Sequence, residues 1–515
     1  MMDLVTLALL GVSAGATAIS LVLAQRQRYA PAVCWLVAAA LGLRLALIGA
    51  DPFLHDWDER FHALVAKNML TTGWARPLLR AHPLLPYDYQ QWCCNHVWLH
   101  KQPLFLWQMA LSLKLFGVSA MAVRLPSALL GSLLLWPVYR LGRLVFSPAV
   151  GYHAALLLAF AYYQLELTTG WQSVDHSDVA FACYVAGSVW AYYESRQPHA
   201  SAWWCGLVGL LAGAAVLCKW LPGLVVYASW GLELVVRPDY RAKPSEYARL
   251  LAAIGITLLV VLPWQLYIQQ QFPVESTFER SYSAQHFGQV LEGQGGPWYF
   301  YLTQNMWYQY QWLVLLLGGG LGLLCTAPYR RRPVRPLLVS CGVLFGFFSV
   351  AATKMPSYTY AVGPLLLVVA AVAWVAGLAW LRPRLGRWGR AGAAAGSCLV
   401  LVLALRPSSL LKHHTDRLAA EPAARQRKVQ HTTLYKQLDG LVPAGYVVFG
   451  VPALEEIEAM FYSRQNVYAG LPSQAEYRAL RAQGVRIAIF LPAGWQALPP
   501  YLATPEVRLL PGRLE

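Results

Sequence analysis

Apolar residues run along the first four-fifths of this chain in stretches of roughly 20, the length an α-helix needs to cross a ~30 Å hydrocarbon core. The stretches lie at 3–24, 32–50, 124–141, 149–167, 179–194, 203–218, 220–236, 250–268, 303–326, 335–352, 357–380 and 391–406. One further run, 104–117, is short and contains Lys114. The first run, Leu4 to Ala24, lacks a basic leader and a small-residue cleavage site, so it reads as a retained span. After Arg406 the pattern changes. Residues 407–515 are mixed and punctuated by Pro and Gly, with strand-like runs at Val447–Val451 and Val485–Leu491 and helix-like stretches at Glu455–Tyr462 and Ala475–Ala482. The expectation is an all-α polytopic membrane domain at 1–406, with about 12 or 13 transmembrane helices. A large outer loop at 51–103 and a small C-terminal α/β soluble domain at 407–515 complete it.

Composition agrees with that pattern. Only 13% of residues are charged, against about 25% in soluble domains. The net charge of +16 would suggest nucleic acid in a soluble chain, but here the basic residues form short clusters between apolar runs. Arg26/Arg28, Arg140/Arg143, Arg237–Arg249, Arg330–Arg335 and Arg382–Arg390 are such clusters, and cytoplasmic loops carry this bias. The alternate loops, 51–103, 168–178, 269–302 and 353–358, then share the extracytoplasmic side of a plasma (inner) membrane, as does the C-terminal domain. That parity holds if 104–117 does not cross. Arg44, inside the second span, is expected to snorkel to the interface. Most of the nine cysteines lie in apolar runs, which argues for packed thiols rather than a disulfide framework.

The outer loops hold the candidate chemistry. His55-Asp56-Trp57-Asp58-Glu59-Arg60-Phe61-His62 opens a helical stretch, and carboxylates at a membrane boundary are costly unless used or paired; a helix cap is the alternative for Asp58. His96-Val97-Trp98-Leu99-His100-Lys101-Gln102-Pro103 places an ammonium beside imidazoles, a set suited to phosphate. Cys93, Cys94, His96 and His100 invite a zinc reading, although adjacent cysteines are poorly spaced for one ion. Asp175-His176-Ser177-Asp178 brings a second acid, with capping again the alternative for Asp178. Lys219 and Lys354 are lone lysines against the charge bias, as a lipid phosphate near the interface would require. Gln285-His286-Phe287 precedes a chain-breaking Gly295-Gly296-Pro297. A transporter or flippase would instead place charged groups mid-helix near the bilayer midplane, with related halves. A nucleotide-sugar donor would call for a Gly-rich phosphate loop after a strand.

In order, Asp58-Glu59, Lys101-Gln102-Pro103-Leu104, Phe116-Gly117 and Arg124-Leu125-Pro126-Ser127-Ala128 resemble bacterial GT-C glycosyltransferases of the aminoarabinose transferase and protein O-mannosyltransferase type. The resemblance continues at Asp178, Lys219, His286-Phe287 and Lys354-Met-Pro-Ser-Tyr358, over about residues 50–380. It implies a GT-C fold and a glycosyltransferase that uses a polyprenyl-phosphate sugar. The acceptor would be an envelope glycan, lipid A or protein. It implies catalytic roles for Asp58, Glu59 and Asp178 and substrate contacts for Lys101, Lys219, Lys354 and Tyr358. It also implies a divalent metal, zinc or magnesium, at His286, with His100 standing where the aminoarabinose group carries Glu. One attacking hydroxyl and one carboxylate imply inversion at the anomeric carbon, since retention by double displacement needs a carboxylate nucleophile.

Overall fold

A computed structural model describes residues 4–91, 95–172, 176–410, 422–492 and 494–514. The chain forms two compact units, one from Met1–Ile48 with Ser127–Leu410 and one from Gly49–Pro126 with Leu411–Glu515.

The first unit is helical. Among the described residues of the chain, six helices are long and apolar enough to cross a membrane: Leu4–Gln25, Tyr29–Ile48, Ala120–Val145, Pro244–Gln271, Tyr358–Arg384 and Ala391–Leu410. Shorter apolar helices cover the other expected runs, except 179–194, which lies in the buried helix His176–Ser195. Two runs are interrupted within their length. Ala161 is extended between Pro148–Phe160 and Tyr162–Thr169, and Gln311, at φ 42°, separates Gln304–Tyr310 from Leu313–Leu324. Close helix crossings rest on glycine. A Cβ at Gly320 would lie 2.1 Å from the Val369 carbonyl oxygen, and one at Gly151 2.2 Å from that of Tyr139. Such small residues let helix backbones approach where lipid supplies no hydrophobic drive.

Arg44 does not snorkel. It is fully buried, and its guanidinium donates to the carbonyls of Ala40 (3.2 Å), Ala159 (3.2 Å) and Leu158 (3.4 Å). The last two lie where the helix Pro148–Phe160 stops at extended Ala161. The Leu158 oxygen keeps only a long bond from the Ala161 amide, at 3.4 Å, and the arginine supplies donors at the negative end of the helix dipole.

The second unit joins the long loop to the C-terminal residues. Its sheet contains β1 (Tyr446–Val451), β2 (Asn466–Ala469), β3 (Arg486–Pro492) and β4 (Val507–Leu514), ordered β2-β1-β3-β4 and parallel throughout. Parallel neighbours need crossovers, and Glu455–Tyr462 and Gln474–Ala482 provide those between β1, β2 and β3. The core of Val447, Phe449, Leu480, Ile487, Ile489 and Leu502 takes Leu84 and Leu85 from the loop against it. Arg80 donates to the Val467 carbonyl at 2.7 Å and lies 4.1 Å over the Tyr468 ring. Arg60 pairs with buried Glu458 at 3.2 Å, and Lys67 donates to the Met460 carbonyl at 2.6 Å. The helix Leu104–Phe116 belongs to this unit. Its 13 residues span about 20 Å, too short to cross a bilayer alone.

Candidate active site

In the second unit, the chain enters the helix Asp58–Thr72 through Trp57, at φ 66° and ψ −126°. A non-glycine residue in so sparse a region costs of order 1–3 kcal/mol, held by its surroundings. Asp58 and Glu59 occupy the first helical turn, where the dipole favours anions. Consecutive residues on a helix point in different directions, and these two acids meet different partners. Asp58 Oδ2 lies 3.5 Å from Lys101 Nζ, and both side chains keep some exposure (18% and 23%). Burial pushes the Asp58 carboxyl up, but Lys101, His62 and His100 together outweigh it and hold the group below its ordinary value. His62 follows Asp58 by one helical turn. Lys101 and His100 are set by Trp98, which is fully buried between Phe61 and His62, with its amide bonded to the Pro77 carbonyl at 2.7 Å.

Glu59 faces inward, 2% exposed. Its Oε1 accepts from Arg124 Nε (2.9 Å) and Nη2 (2.7 Å), and its Oε2 lies 3.0 Å from His55 Nδ1. The other nitrogen of His55 reaches Asp51 Oδ2 at 3.1 Å. Arg124 also donates to the carbonyls of Asp51 (2.8 Å) and Phe53 (2.7 Å). Both oxygens of Glu59 are engaged inside the protein, which suits it to holding the turn rather than to touching substrate. Sequence reasoning gave no role to His62, His55, Asp51 or Arg124. The i, i+4 spacing of Asp58 and His62 was the available signal for the first; Arg124 opens the Arg-Leu-Pro-Ser-Ala motif, but nothing in the sequence pointed to its partner, 65 residues away.

In the first unit, Asp178 opens the helix His176–Ser195 and is ion-paired with Lys219, the last residue of Trp203–Lys219. The Lys219 ammonium lies 5.0 Å from the centroid of the Tyr358 ring. Trp220, next in the chain, is again strained, at φ 61° and ψ −149°. Lys354 is brought to a different task. Its Nζ donates to the carbonyls of Phe348 (3.3 Å), Ser349 (2.9 Å) and Ala351, at the end of Arg335–Val350, and it is 3% exposed. This is a C-terminal helix cap. The His286 ring packs edge-on to Tyr282 at 5.5 Å, and its carbonyl accepts from the Thr353 amide. Cys93, Cys94 and Asp175 lie outside the described residues.

His100 and His286 belong to different units. Among the described residues, no group of three or more His, Cys, Asp or Glu side chains is placed to hold a metal ion. Around Asp58 the described counter-charges are the Lys101 ammonium and the imidazoles of His62 and His100.

Known proteins give this geometry a context. A structure of ArnT from Cupriavidus metallidurans bound to undecaprenyl phosphate superposes with a TM-score of 0.62, at 17% identity over 87% of this chain and 88% of that one. The fold is that of the GT-C glycosyltransferases. The apo form of the same ArnT gives 0.61, and the apo oligosaccharyltransferase of Archaeoglobus fulgidus gives 0.50 at 13% identity, over 85% of this chain and 64% of that one. Within the GT-C fold, residues 100–267 match the family described as dolichyl-phosphate-mannose-protein mannosyltransferase. An undecaprenyl phosphate-alpha-4-amino-4-deoxy-L-arabinose arabinosyl transferase of Pseudomonas savastanoi pv. phaseolicola is 23% identical over 58% of this chain and 53% of its own length. An uncharacterized protein of Aquifex aeolicus is 24% identical over 61% of this chain and 58% of its own. The chain thus spans little more than half the length of the curated relatives it matches.

Proposed function

We propose that this chain transfers a glycosyl group from a polyprenyl-phosphate donor to a hydroxyl or phosphate of an envelope glycan, lipid A or protein, on the extracytoplasmic face of the plasma membrane. The observation that carries the reading is the Asp58–Lys101 pair: a carboxylate and an ammonium, both partly exposed, on a loop anchored by Trp98. The basic clusters on alternate loops support the orientation, and the likeness to an ArnT bound to undecaprenyl phosphate supports the donor class.

In the proposed reaction the acceptor oxygen bonds to the anomeric carbon as the bond from that carbon to the phosphate oxygen breaks. The electron pair leaves with the lipid phosphate, and the acceptor proton passes to Asp58. Held ionised at neutral pH, Asp58 orients the acceptor hydroxyl before transfer and takes its proton during it, help worth ~10²–10⁴-fold. Lys101 offers its ammonium to the charge that develops on the leaving phosphate. In the first unit, Lys219 is held by Asp178 beside Tyr358. Glu59 keeps the Asp58 turn in place. One carboxylate serving one attacking group gives inversion. The transporter alternative gains no support from Arg44, whose described hydrogen bonds all go to helix carbonyls.

The test is release of free lipid phosphate by the purified full-length chain supplied with candidate polyprenyl-phosphate sugars. Donor consumed by the unsubstituted chain, and spared by Asp58→Asn and Lys101→Ala, is the expected result. Undiminished turnover by both variants would overturn the site. Substrate carried across vesicles with no donor consumed would favour the transporter.

A further inference from the structure

Trp57 stands against every local preference of its position. It is the N-cap of the Asp58 helix, where Ser, Thr, Asp, Asn or Gly satisfies the free amides, and it makes no side-chain cap. Its φ of 66° with ψ of −126° is a conformation that glycine adopts freely and a tryptophan does not. The residue is 49% exposed, so core packing does not account for the choice. The conformation is pinned on both sides. Asp51, His55, Glu59 and Arg124 form one network, and Asp56 pairs with Arg60 (3.0 Å) and Lys428 (2.7 Å). Backbone strain that the neighbours hold in place clusters at functional positions. Trp220 beside Lys219 (φ 61°, ψ −149°) and Gln311 at a helix break (φ 42°, ψ −125°) share this conformation, whereas Arg406 (φ 48°, ψ 65°) and Leu454 (φ 68°, ψ −7°) are ordinary left-handed residues.

Resting on the glycosyl-transfer reading, we infer that the Trp57 indole is a substrate-contacting face that packs against the C–H side of a glycosyl ring at the Asp58 centre. An indole offers a broad apolar π-face, and the C–H side of a sugar ring is its complement. The ring belongs either to the donor or to a glycan acceptor.

The test compares Trp57→Ala, Trp57→Phe and Trp57→Gly in the full-length chain, using a polyprenyl-phosphate sugar that the unsubstituted chain consumes. Trp57→Ala should raise one KM by roughly 3- to 10-fold, with Trp57→Phe recovering most of the loss. A rise in donor KM assigns the ring to the donor, and a rise in acceptor KM assigns it to the acceptor. Binding of undecaprenyl phosphate, which carries no sugar, should not change. Trp57→Gly should melt above Trp57→Ala, because only glycine relieves the backbone. If Trp57→Ala leaves both KM values unchanged while the unsubstituted chain turns over, the inference fails and the indole is a membrane-interface anchor. An unsubstituted chain that consumes no donor overturns the functional reading, and this inference with it.

Discussion

Replacing Arg124 with Met should unlock the turn that carries Asp58. Arg124 is 1% exposed and donates to Glu59 Oε1 twice, at 2.9 and 2.7 Å, and to the carbonyls of Asp51 and Phe53. Methionine fills much of the volume but leaves Glu59 a buried carboxylate without its two arginine hydrogen bonds. Breaking a buried pair from one side costs roughly 3–5 kcal/mol. For a body of this size that lowers the melting midpoint by roughly 6–20 °C. Adding Glu59→Gln removes the stranded charge, so the double variant should lose less than the sum of the singles, with a coupling of about 1–3 kcal/mol. Thermal unfolding of the four proteins in one detergent gives the cycle, and hydrogen exchange over 51–62 locates the loosening. Additive losses, or an Arg124→Met chain as stable as the unsubstituted one, would refute the network as the support of the turn.

Lys354→Met should lower the midpoint, as loss of a cation at a helix C-terminus does by about 0.3–2 kcal/mol, and leave the KM for the lipid donor unchanged. A raised donor KM with unchanged stability would restore the phosphate contact expected from the sequence. Lys67 gives a pH test. Burial, countered by Asp439, brings its ammonium down to about 8. Between about pH 8 and 10.4 the unfolded chain then binds more protons than the folded one, and this group makes stability rise with pH. Lys67→Met should flatten that slope in unfolding measured across the window; an unchanged slope would refute the assignment.

The membrane helices were legible because a run of roughly 20 apolar residues has few other uses. The breaks at Ala161 and Gln311 were not, since they depend on partners such as Arg44 that lie far along the chain. In the sheet, β1 and β3 announced themselves as short apolar runs. β2 has only four residues, and β4 contains Pro511 and Gly512, so neither carries a readable period. The long loop packs on residues far along the chain, as the Leu54 amide does on Glu458, 404 positions later, and no local pattern encodes that. Asp58 and Lys101 stood out singly as charges in the wrong place; their pairing is tertiary. Asp58 and Glu59 read alike in sequence and diverge because adjacent helical positions face different surroundings. Lys354 broke the charge bias for a local reason, a helix end in need of donors.

The role of Asp58 is read out by the rate at which free lipid phosphate is released from a polyprenyl-phosphate sugar. Asparagine keeps the shape of the side chain and removes the charge and the proton-accepting oxygen. The pair with Lys101 is partly exposed, so its loss should cost at most about 1 kcal/mol of stability. The Asp58→Asn chain should fold and its turnover should fall by about 10²-fold or more. A folded Asp58→Asn chain that releases lipid phosphate at the unsubstituted rate would contradict it.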